Sequence, residues 1–164
     1  MTFAFGHLIF AWILGNVYEI SSKKKISHYG WLFLLIGGVL PDIDYLFEWT
    51  FFSGIHRTFT HSLFFALIVL GVSLITFKLM DENNSKEYSY LLFVGILIHL
   101  IVDFVSVQGI MFFWPAQIYL TPLMGRMINI SSYKLAVLDM GLGTIWLFYL
   151  LFKRRLVFKV AKHL

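Results

Sequence analysis

"YLLFVGILIHLIVDFVSV", residues 90–107, is an apolar run of 18 residues that contains one histidine and one aspartate. A helix of this length extends about 27 Å, close to the thickness of the hydrocarbon core of a bilayer. The run therefore predicts a membrane-spanning helix. His99 and Asp103 are four residues apart, so this helix places both side chains on one face.

The whole chain has the composition of an integral membrane protein. Of its 164 residues, 59% are hydrophobic and 13% are charged, and the mean hydropathy is +0.80. A soluble domain of this size does not have such values. Apolar runs fill most of the sequence, so we expect a single integral membrane domain over residues 1–164. The absence of cysteine excludes disulfides, thiolate metal sites and a cysteine nucleophile, and leaves His, Asp and Glu as possible metal ligands.

The apolar segments predict an all-α, polytopic membrane helical bundle with about five spans. The second segment begins near Trp31 and reaches Pro41 after about ten residues, or about 15 Å, which is too short to cross a membrane unaided. It is expected either to kink at Pro41 and continue through residues 43–52, or to stop within the membrane. The other predicted spans cover residues 2–20, 61–80, 90–107 and 135–152.

Basic residues predict the orientation of these spans. Lys and Arg in short loops stay on the cytoplasmic side of a membrane. If residues 23–25 are cytoplasmic, then Lys78, Lys86 and the basic cluster at 153–155 fall on the same side after five spans. We therefore expect an inner-membrane protein with its N-terminus outside and its C-terminus in the cytoplasm. The net charge of +4 is attributed to these membrane-flanking clusters rather than to nucleic-acid binding.

This topology brings seven ionisable residues to a similar depth near the outer face. An ionisable side chain in hydrocarbon costs about 3 kcal/mol unless it is paired, so such residues face the bundle interior and are functional candidates. A shared site is therefore predicted near the outer face. The residues are His7, Asp42, Asp44, His61, His99, Asp103 and Asp139.

Two of the motifs also have simpler interpretations. In "HLIVD", His99 and Asp103 could form a hydrogen-bonded pair without a metal ion. In "LPDID", Pro41 ends a helix, and in an extended segment alternate side chains such as Asp42 and Asp44 would face one centre. The alternative is a capped helix end with two solvated carboxylates.

Other candidates are weaker when taken alone. An isolated histidine such as His7 is typical of a hydrogen-bonded packing residue, and Asp139 could pair with Arg57 or Arg126. In "HRTFTHS", residues 56–62, the hydroxyl of Thr58 or Thr60 is a possible N-cap for the third span.

The sequence resembles the YdjM-like family, bacterial and archaeal inner-membrane proteins described as membrane-bound metal-dependent hydrolases. The resemblance is carried by "GH" at 6–7, "LPDID" at 40–44, "HRTFTHS" at 56–62 and "HLIVD" at 99–103, in this order over most of the chain. That family is in turn similar to the superfamily of zinc-dependent phospholipases C and single-strand nucleases, which are all-helical enzymes with a cluster of zinc ions.

The resemblance implies a set of metal ligands. The matching positions are His7, Asp42, His61, His99 and Asp103. Asp103 is a candidate bridge between two ions. The soluble enzymes have a late His and Glu group for an additional zinc, whereas after Asp103 this chain has only Asp139 and His163. Two ions are therefore expected rather than three.

These ligand types favour a hydrolase that acts on a phosphoester. Nitrogen and oxygen ligands without thiolate suit zinc, or alternatively manganese or iron. Two such ions would bind the oxygens of a phosphoester and activate a water molecule. The expected substrate is a phospholipid or a polyprenyl phosphate, which would enter from the outer leaflet beneath the aromatic segment 111–123.

The remaining polar residues have expected roles around the metal ions. Arg57 is a candidate clamp for phosphate oxygens, because a guanidinium binds oxyanions bidentately. Asp44 or His56 is a candidate general base or acid. The side chains expected to support the ligands through hydrogen bonds are those of Thr60, Ser62 and Asp139.

Two other classes of protein would share part of this pattern. A metal-ion or proton transporter, or a non-catalytic metal-binding membrane protein, would also place His and Asp inside a bundle. A transporter would need polar groups that continue toward the cytoplasmic side, where these spans are almost wholly apolar. A structural membrane scaffold would account for the hydrophobicity but not for the clustered ionisable residues.

Overall fold

The computed structural model describes residues 4–50, 56–80, 83–105, 109–116, 118 and 132–161. These residues form α-helices, one 3-10 turn and connecting loops, without a β-strand. The helices are α1 (Ala4–Ser22), α2 (His28–Gly37), α3 (Asp44–Thr50), α4 (Leu63–Leu79), α5 (Ser85–Val105) and α6 (Ser132–Ala161), and the 3-10 turn is Leu40–Ile43. The predicted all-α class is confirmed for this part of the chain.

Two helical segments are long and apolar enough to cross a membrane by length and composition. They are Ser85–Val105, of which 56% is buried in the bundle, and Ala136–Lys153, of which 11% is buried. His28–Gly37 and Leu63–Leu79 are shorter apolar helices. Helix α5 is therefore central, whereas most of α6 faces outward.

Helix α5 is the element against which the others are arranged. It packs against α1, α2 and α4, while α6 packs against α1. One apolar cluster on α5 contains Ala11, Leu34 and Ile98. A second contains Ala66, Ile96, Leu100 and Ile110. The buried side chains thus come from every helix that contacts α5.

Helices α2 and α5 approach closely at a pair of glycines. A Cβ atom on Gly95 would lie 2.3 Å from the carbonyl oxygen of Leu34, and one on Gly37 would lie 2.2 Å from that of Leu92. These separations are far below van der Waals contact, so the two backbones can meet only because both residues lack a side chain. His99 follows Gly95 by one turn of α5, and its position depends on this contact.

The segment around Pro41 differs from the extended conformation predicted for "LPDID". Helix α2 ends at Gly37, and Pro41 lies in the first turn of a 3-10 turn, where its missing N–H removes no helical hydrogen bond. The backbone N–H of Asp42 donates to the carbonyl of Val39, 3.1 Å away. The expected extended chain is therefore wrong, because the proline begins a new helical turn here. Asp42 lies in that turn, and Asp44 begins α3.

The cap of α4 also differs from the prediction. The N-cap is Ser62, and not Thr58 or Thr60. The Ser62 hydroxyl oxygen accepts a hydrogen bond from the backbone N–H of Phe65 at 3.1 Å. The same hydroxyl donates to the carbonyl of Phe59 at 2.6 Å. Ser62 has the extended backbone that an N-cap requires.

The described part of the aromatic segment lies against the loop that precedes α4. The backbone N–H of Met111 donates to the carbonyl of Arg57, and that of Leu63 donates to the carbonyl of Phe112. The rings of Phe59 and Trp114 meet edge to face, with centroids 5.0 Å apart. The rest of the predicted roof, residue 117 and residues 119–123, lies outside the described residues.

Candidate metal centre

The five residues that the motifs predict as metal ligands converge at one end of the bundle. His7 lies in the first turns of α1, Asp42 in the 3-10 turn, and His61 directly before α4, while His99 and Asp103 project from the last two turns of α5. Four of these side chains are at most 1% exposed, and Asp42 is 17% exposed. The segments that carry them are far apart in the sequence, so the cluster is a product of the tertiary fold.

Four potential ligand atoms from this set, two histidine nitrogens and two carboxylate oxygens, lie close to one another. His61 Nε2 lies 3.2 Å from His99 Nε2, 3.4 Å from Asp42 Oδ1 and 3.4 Å from Asp103 Oδ2. His99 Nε2 lies 3.6 Å from Asp42 Oδ1 and 3.8 Å from Asp103 Oδ2. A tetrahedral zinc ion with ligands at about 2.0–2.1 Å separates its ligand atoms by about 3.3 Å. The observed separations match that cage.

The other ring nitrogen of each of these two histidines has a partner that holds a proton on it. His99 Nδ1 lies 2.9 Å from the carbonyl oxygen of Gly38, and His61 Nδ1 lies 3.2 Å from Asp44 Oδ2. Carbonyl and carboxylate oxygens only accept, so each Nδ1 carries a proton, and in a neutral imidazole the Nε2 then presents a lone pair. Lone pairs and carboxylate oxygens this close repel one another unless a cation or a proton lies between them. Metal-binding histidines are oriented by partners of this kind.

His7 and Asp103 extend the cluster to a second position. His7 stacks on His99 with ring centroids 3.8 Å apart, and its Nε2 lies 3.4 Å from Asp103 Oδ1. His7 is fully buried, yet within the described part of the chain neither of its ring nitrogens makes a hydrogen bond. The two oxygens of Asp103 thus face different groups, as expected of a carboxylate that bridges two ions. His7, His99 and Asp103 form one group whose ligand atoms lie within 4.8 Å of one another.

His56 lies beside the centre but is already bonded at both nitrogens. Asp42, His56 and His61 also have ligand atoms within 4.8 Å of one another. However, His56 Nδ1 lies 2.8 Å from Asp44 Oδ1, and its Nε2 accepts from Arg57 Nε at 3.3 Å. His56 is therefore a weaker ligand than His61, whose Nε2 points at the other acceptors.

Asp44 holds the histidines in place. Its carboxylate accepts hydrogen bonds from the Thr60 hydroxyl at 2.6 Å and from the Arg57 backbone N–H at 3.2 Å, in addition to those from His56 and His61. Burial opposes ionisation of this carboxyl, but these donors outweigh it and hold its pKa well below the usual value. Asp44 is therefore a permanent anion whose lone pairs are occupied, which suits an orienting group. Thr60 also lies 3.1 Å from His61 Nδ1.

Arg57 reaches into the centre from an unusual backbone conformation. Its φ of 66° lies in the left-handed region, which a residue other than glycine rarely adopts. The guanidinium is buried and donates from Nη2 to Asp103 Oδ1 at 3.2 Å. Because Nε donates to His56, the same side chain links the proposed proton-transfer residue to the metal ligands. An anion bound at the centre would lie next to this cation.

Asp139 supports the centre from a different direction. Its Oδ1 accepts a hydrogen bond from the backbone N–H of Gly6 in the first turn of α1. The carboxylate thus fixes α6 to α1 beside His7, and it also compensates the positive end of the α1 dipole. Of the predicted alternatives, pairing with Arg57 is not observed, and Arg126 lies outside the described residues.

The centre carries an excess of negative charge. Among the described side chains, the carboxylates of Asp42, Asp44 and Asp103 face one guanidinium, that of Arg57, which leaves two negative charges uncompensated if the histidines are neutral. Burial lowers the pKa of His61, but hydrogen bonds to Asp42 and Asp44 reverse this effect and raise it. The location therefore favours positive charge, which a divalent cation would supply.

Tyr45 is a polar neighbour of the centre that the sequence motifs do not single out. Its ring stacks on His56 with centroids 3.8 Å apart, and its hydroxyl is buried without a hydrogen-bond partner in the described part of the chain. Burial and the nearby Asp42 carboxylate raise the pKa of Tyr45 to about 12, so the phenol stays protonated. The Tyr45 hydroxyl is therefore a buried hydrogen-bond donor that bonds to no described residue. In the sequence it is one aromatic residue within "YLFEW", and no spacing distinguishes it.

These features define a helical protein that has two helices long and apolar enough to cross a membrane and a buried His and Asp cluster that could hold a metal ion. The family of the YdjM inner membrane protein matches the chain over residues 1–162, and the chain belongs to that family. The predicted resemblance to this family is confirmed, and the family description together with the two apolar helices supports a location in the inner membrane. The more distant similarity to zinc-dependent phospholipases and nucleases is not confirmed.

A relative and the solved structures add limited information. The chain is similar to a Bacillus subtilis (strain 168) protein named "Uncharacterized protein YvsG", with 34% identity over 101 residues. The match covers 62% of this chain and 59% of that protein, so the chain spans a little over half of its relative's length. No solved structure matches the chain.

Proposed function

We propose that the protein is a membrane-embedded, metal-dependent hydrolase that acts on a phosphoester of a lipid or polyprenyl substrate. The observation that carries the proposal is the group of four potential ligand atoms from His61, His99, Asp42 and Asp103, in which each histidine Nε2 lies 3.2–3.8 Å from the other and from one oxygen of each carboxylate. The buried excess of negative charge and the unbonded nitrogens of His7 support it.

The residues present fit divalent metal ions. The four acceptor atoms would hold one ion, and His7 with the second oxygen of Asp103 would contribute to another. Two imidazoles and two carboxylates without thiolate are typical of zinc, with manganese or iron as alternatives. When bound, such ions polarise a phosphoryl oxygen and lower the pKa of water, which is the chemistry that ester hydrolysis requires.

The protein side chains have separate tasks in this proposal. Arg57 neutralises a phosphate oxygen next to the centre, because its guanidinium already lies 3.2 Å from Asp103 and can bind two oxygens at once. His56 transfers protons to or from the reacting group. Asp44 holds the proton of His56 on Nδ1, so proton transfer would use Nε2, which accepts a hydrogen bond from Arg57 Nε in this structure. Of the two predicted candidates for a general base, His56 is thus preferred to Asp44.

We also propose the membrane arrangement. Helices α1, α4, α5 and α6 would cross the bilayer, and α2 with the 3-10 turn would form the remaining crossing, so that α3 and the 56–62 loop lie at its outer end. Helices α1, α2, α4 and α5 each have their end away from the centre near residues 23–25, Lys78 or Lys86, and the apolar part of α6 ends at Lys153. Under the positive-inside rule the centre then faces the outer leaflet. Cysteines placed at Ser53 and Asn83 test this: a membrane-impermeant reagent should label intact cells at residue 53 only, and the reverse labelling pattern would overturn the orientation.

Transport of metal ions or protons is the second candidate. It would require polar groups that continue from the centre toward the other end of the bundle. The buried side chains next to the centre on that side are apolar: Ala11, Leu34, Ala66 and Ile96. Uptake of metal by proteoliposomes without hydrolysis of any phosphoester would favour the transporter.

The decisive experiment measures metal content and hydrolysis on the same preparations. Wild type, His99→Ala and Asp103→Asn are purified in detergent and analysed by elemental mass spectrometry and with a chromogenic phosphodiester. Tyr29→Phe is the matched control, because Tyr29 is exposed and begins α2 at the end away from the centre. Wild type and the control should retain metal and activity, and both site variants should lose them. Equal metal content in all four proteins would refute the metal centre. Metal loss without any wild-type hydrolysis would leave a metal-binding protein and refute the enzyme.

A further inference from the structure

A groove lies on the opposite half of the bundle, between α1 and α5. It has a volume of about 680 Å³. Ile26, Leu34 and Ile98 form its buried floor. Its walls contain exposed apolar side chains, among them Leu14 of α1 and Val94 of α5. The groove is therefore apolar along its length and open to the surface of the bundle.

The groove has the length of one membrane leaflet. Its lining on α5 extends from Glu87 to Ile98, which corresponds to about 16 Å of helix. The hydrocarbon core of a bilayer is about 30 Å thick, so one leaflet contributes about 15 Å. An acyl chain that runs parallel to α5 would fill the groove from the membrane interface to the middle of the bilayer.

One end of the groove is basic. Lys24 and Lys25 line it there, next to Lys23. The carboxylates nearby are engaged with the loop: Glu19 accepts from the backbone N–H of Ile26 at 2.8 Å, and Glu87 accepts from the backbone and hydroxyl of Ser27 at 3.0 and 2.9 Å.

The two lysines differ in whether a carboxylate already pairs with them. Lys25 pairs with Glu19 at 3.3 Å, whereas no described carboxylate pairs with Lys24. Lys23 has a φ of 57°, a left-handed conformation that turns the backbone at the first of the three lysines. A cationic group at the mouth of an apolar groove is complementary to an anionic lipid headgroup above its acyl chain.

We infer that the groove between α1 and α5 binds one acyl chain of an anionic glycerophospholipid, whose phosphate lies against Lys24 and Lys25. This inference is independent of the proposed hydrolase, because none of the residues that line the groove belongs to the metal centre. The lipid would come from the leaflet that faces the lysine end. It would act as a structural partner that fills the gap between α1 and α5.

Native mass spectrometry of the full chain in detergent tests the headgroup. The probes are phosphatidylglycerol and phosphatidylcholine with identical acyl chains. Lys24→Gln should weaken binding of phosphatidylglycerol by about five-fold, the usual effect of one lysine near a charged membrane surface, and should leave phosphatidylcholine unchanged. Lys78→Gln is the matched control, because Lys78 lies at the same end of the bundle on α4 and does not line the groove. Equal affinity of wild type for the two lipids, or an equal loss in both lysine variants, would overturn the inference.

A second pair of variants tests the acyl-chain site. Val94→Trp places a large ring in the groove, whereas Val72→Trp places the same ring on an exposed face of α4 that lines no part of it. Only Val94→Trp should remove lipid binding, by ten-fold or more. Retention of lipid in Val94→Trp would refute the site. So would a wild-type dimer that Val94→Trp dissociates, because a second copy of the chain would then occupy the groove.

Discussion

Replacement of Gly95 by alanine should weaken both the bundle and the metal centre. The new Cβ would lie 2.3 Å from the carbonyl oxygen of Leu34 and 2.8 Å from the Cα of Gly37. Both atoms belong to the backbone of α2, so no side-chain rotation can relieve the overlap, and the helices must separate by about 1 Å. Overpacking of this kind costs about 1–3 kcal/mol, from which the better helix propensity of alanine recovers up to about 1 kcal/mol.

The separation of α2 from α5 should also displace the candidate metal ligands. His99 donates from Nδ1 to the carbonyl of Gly38, which directly follows α2, at 2.9 Å. Movement of α2 away from α5 lengthens this bond and displaces Asp42 relative to His99. Loss of such a supporting hydrogen bond typically lowers metal affinity by about 10–100-fold. Thus the variant should melt earlier and bind zinc more weakly.

Thermal unfolding in detergent and a zinc titration measure the two effects. Gly71→Ala is the control, because a Cβ at Gly71 on α4 meets no atom within 4 Å. This control should be as stable as wild type or slightly more stable, with unchanged zinc affinity. If Gly95→Ala is as stable as Gly71→Ala, the close contact between α2 and α5 is not a feature of the folded protein. If it is less stable but binds zinc normally, the ligands do not depend on that contact.

The remaining predictions concern single contacts around the centre. Asp44→Asn should weaken zinc binding by about 10–100-fold because it no longer fixes His61, and unchanged affinity in a zinc titration would contradict this role. Tyr45→Phe should leave the melting temperature unchanged, because the hydroxyl bonds to no described residue, but it should lower hydrolysis if the phenol contacts the substrate. A clear decrease in the melting temperature would mean that the hydroxyl makes a hydrogen bond that stabilises the fold. Ser62→Ala should cost about 1 kcal/mol of unfolding free energy through loss of the α4 cap, whereas Ser62→Thr should restore most of it. Removal of metal with a chelator should lower the melting temperature of wild type but not of Asp103→Asn, and an equal decrease in both proteins would argue against a bound ion.

The convergence of the polar residues was predictable because helix geometry and span order fix the depth of each residue. His99 and Asp103 share a face of α5 by their spacing alone, and the proposed alternation of spans brings His7 and His61 to the same end. Apolar length likewise predicts α1, α4 and α5 to within a few residues, apart from the start of α5. That helix begins at Ser85 rather than near residue 90, because the polar Glu87 is used to bind Ser27 rather than exposed in a loop.

Other features depend on tertiary contacts that no local pattern contains. Three residues with hydroxyl groups precede α4. The sequence does not show that the Thr60 hydroxyl donates to Asp44 and that Ser62 is therefore the residue that caps the helix. Pro41 is compatible with an extended chain or with the start of a helical turn, and the choice is made by packing against α5. Tyr45 becomes a neighbour of the centre only because the chain returns to place His56 on its ring.

The position of the centre also restricts what it can do. The charged side chains are gathered where the helices end and where a 3-10 turn and a left-handed residue, Arg57, interrupt the regular backbone. Immediately beyond them the bundle closes with Leu34 and Ile96, which are at most 1% exposed, and the glycine contact of α2 with α5 leaves no gap between these helices. Among the described residues, the side chains immediately beyond the centre are apolar, so a cation there would compensate the buried carboxylates without polar neighbours on that side. This arrangement favours chemistry on a molecule that approaches from one face over passage of an ion through the bundle.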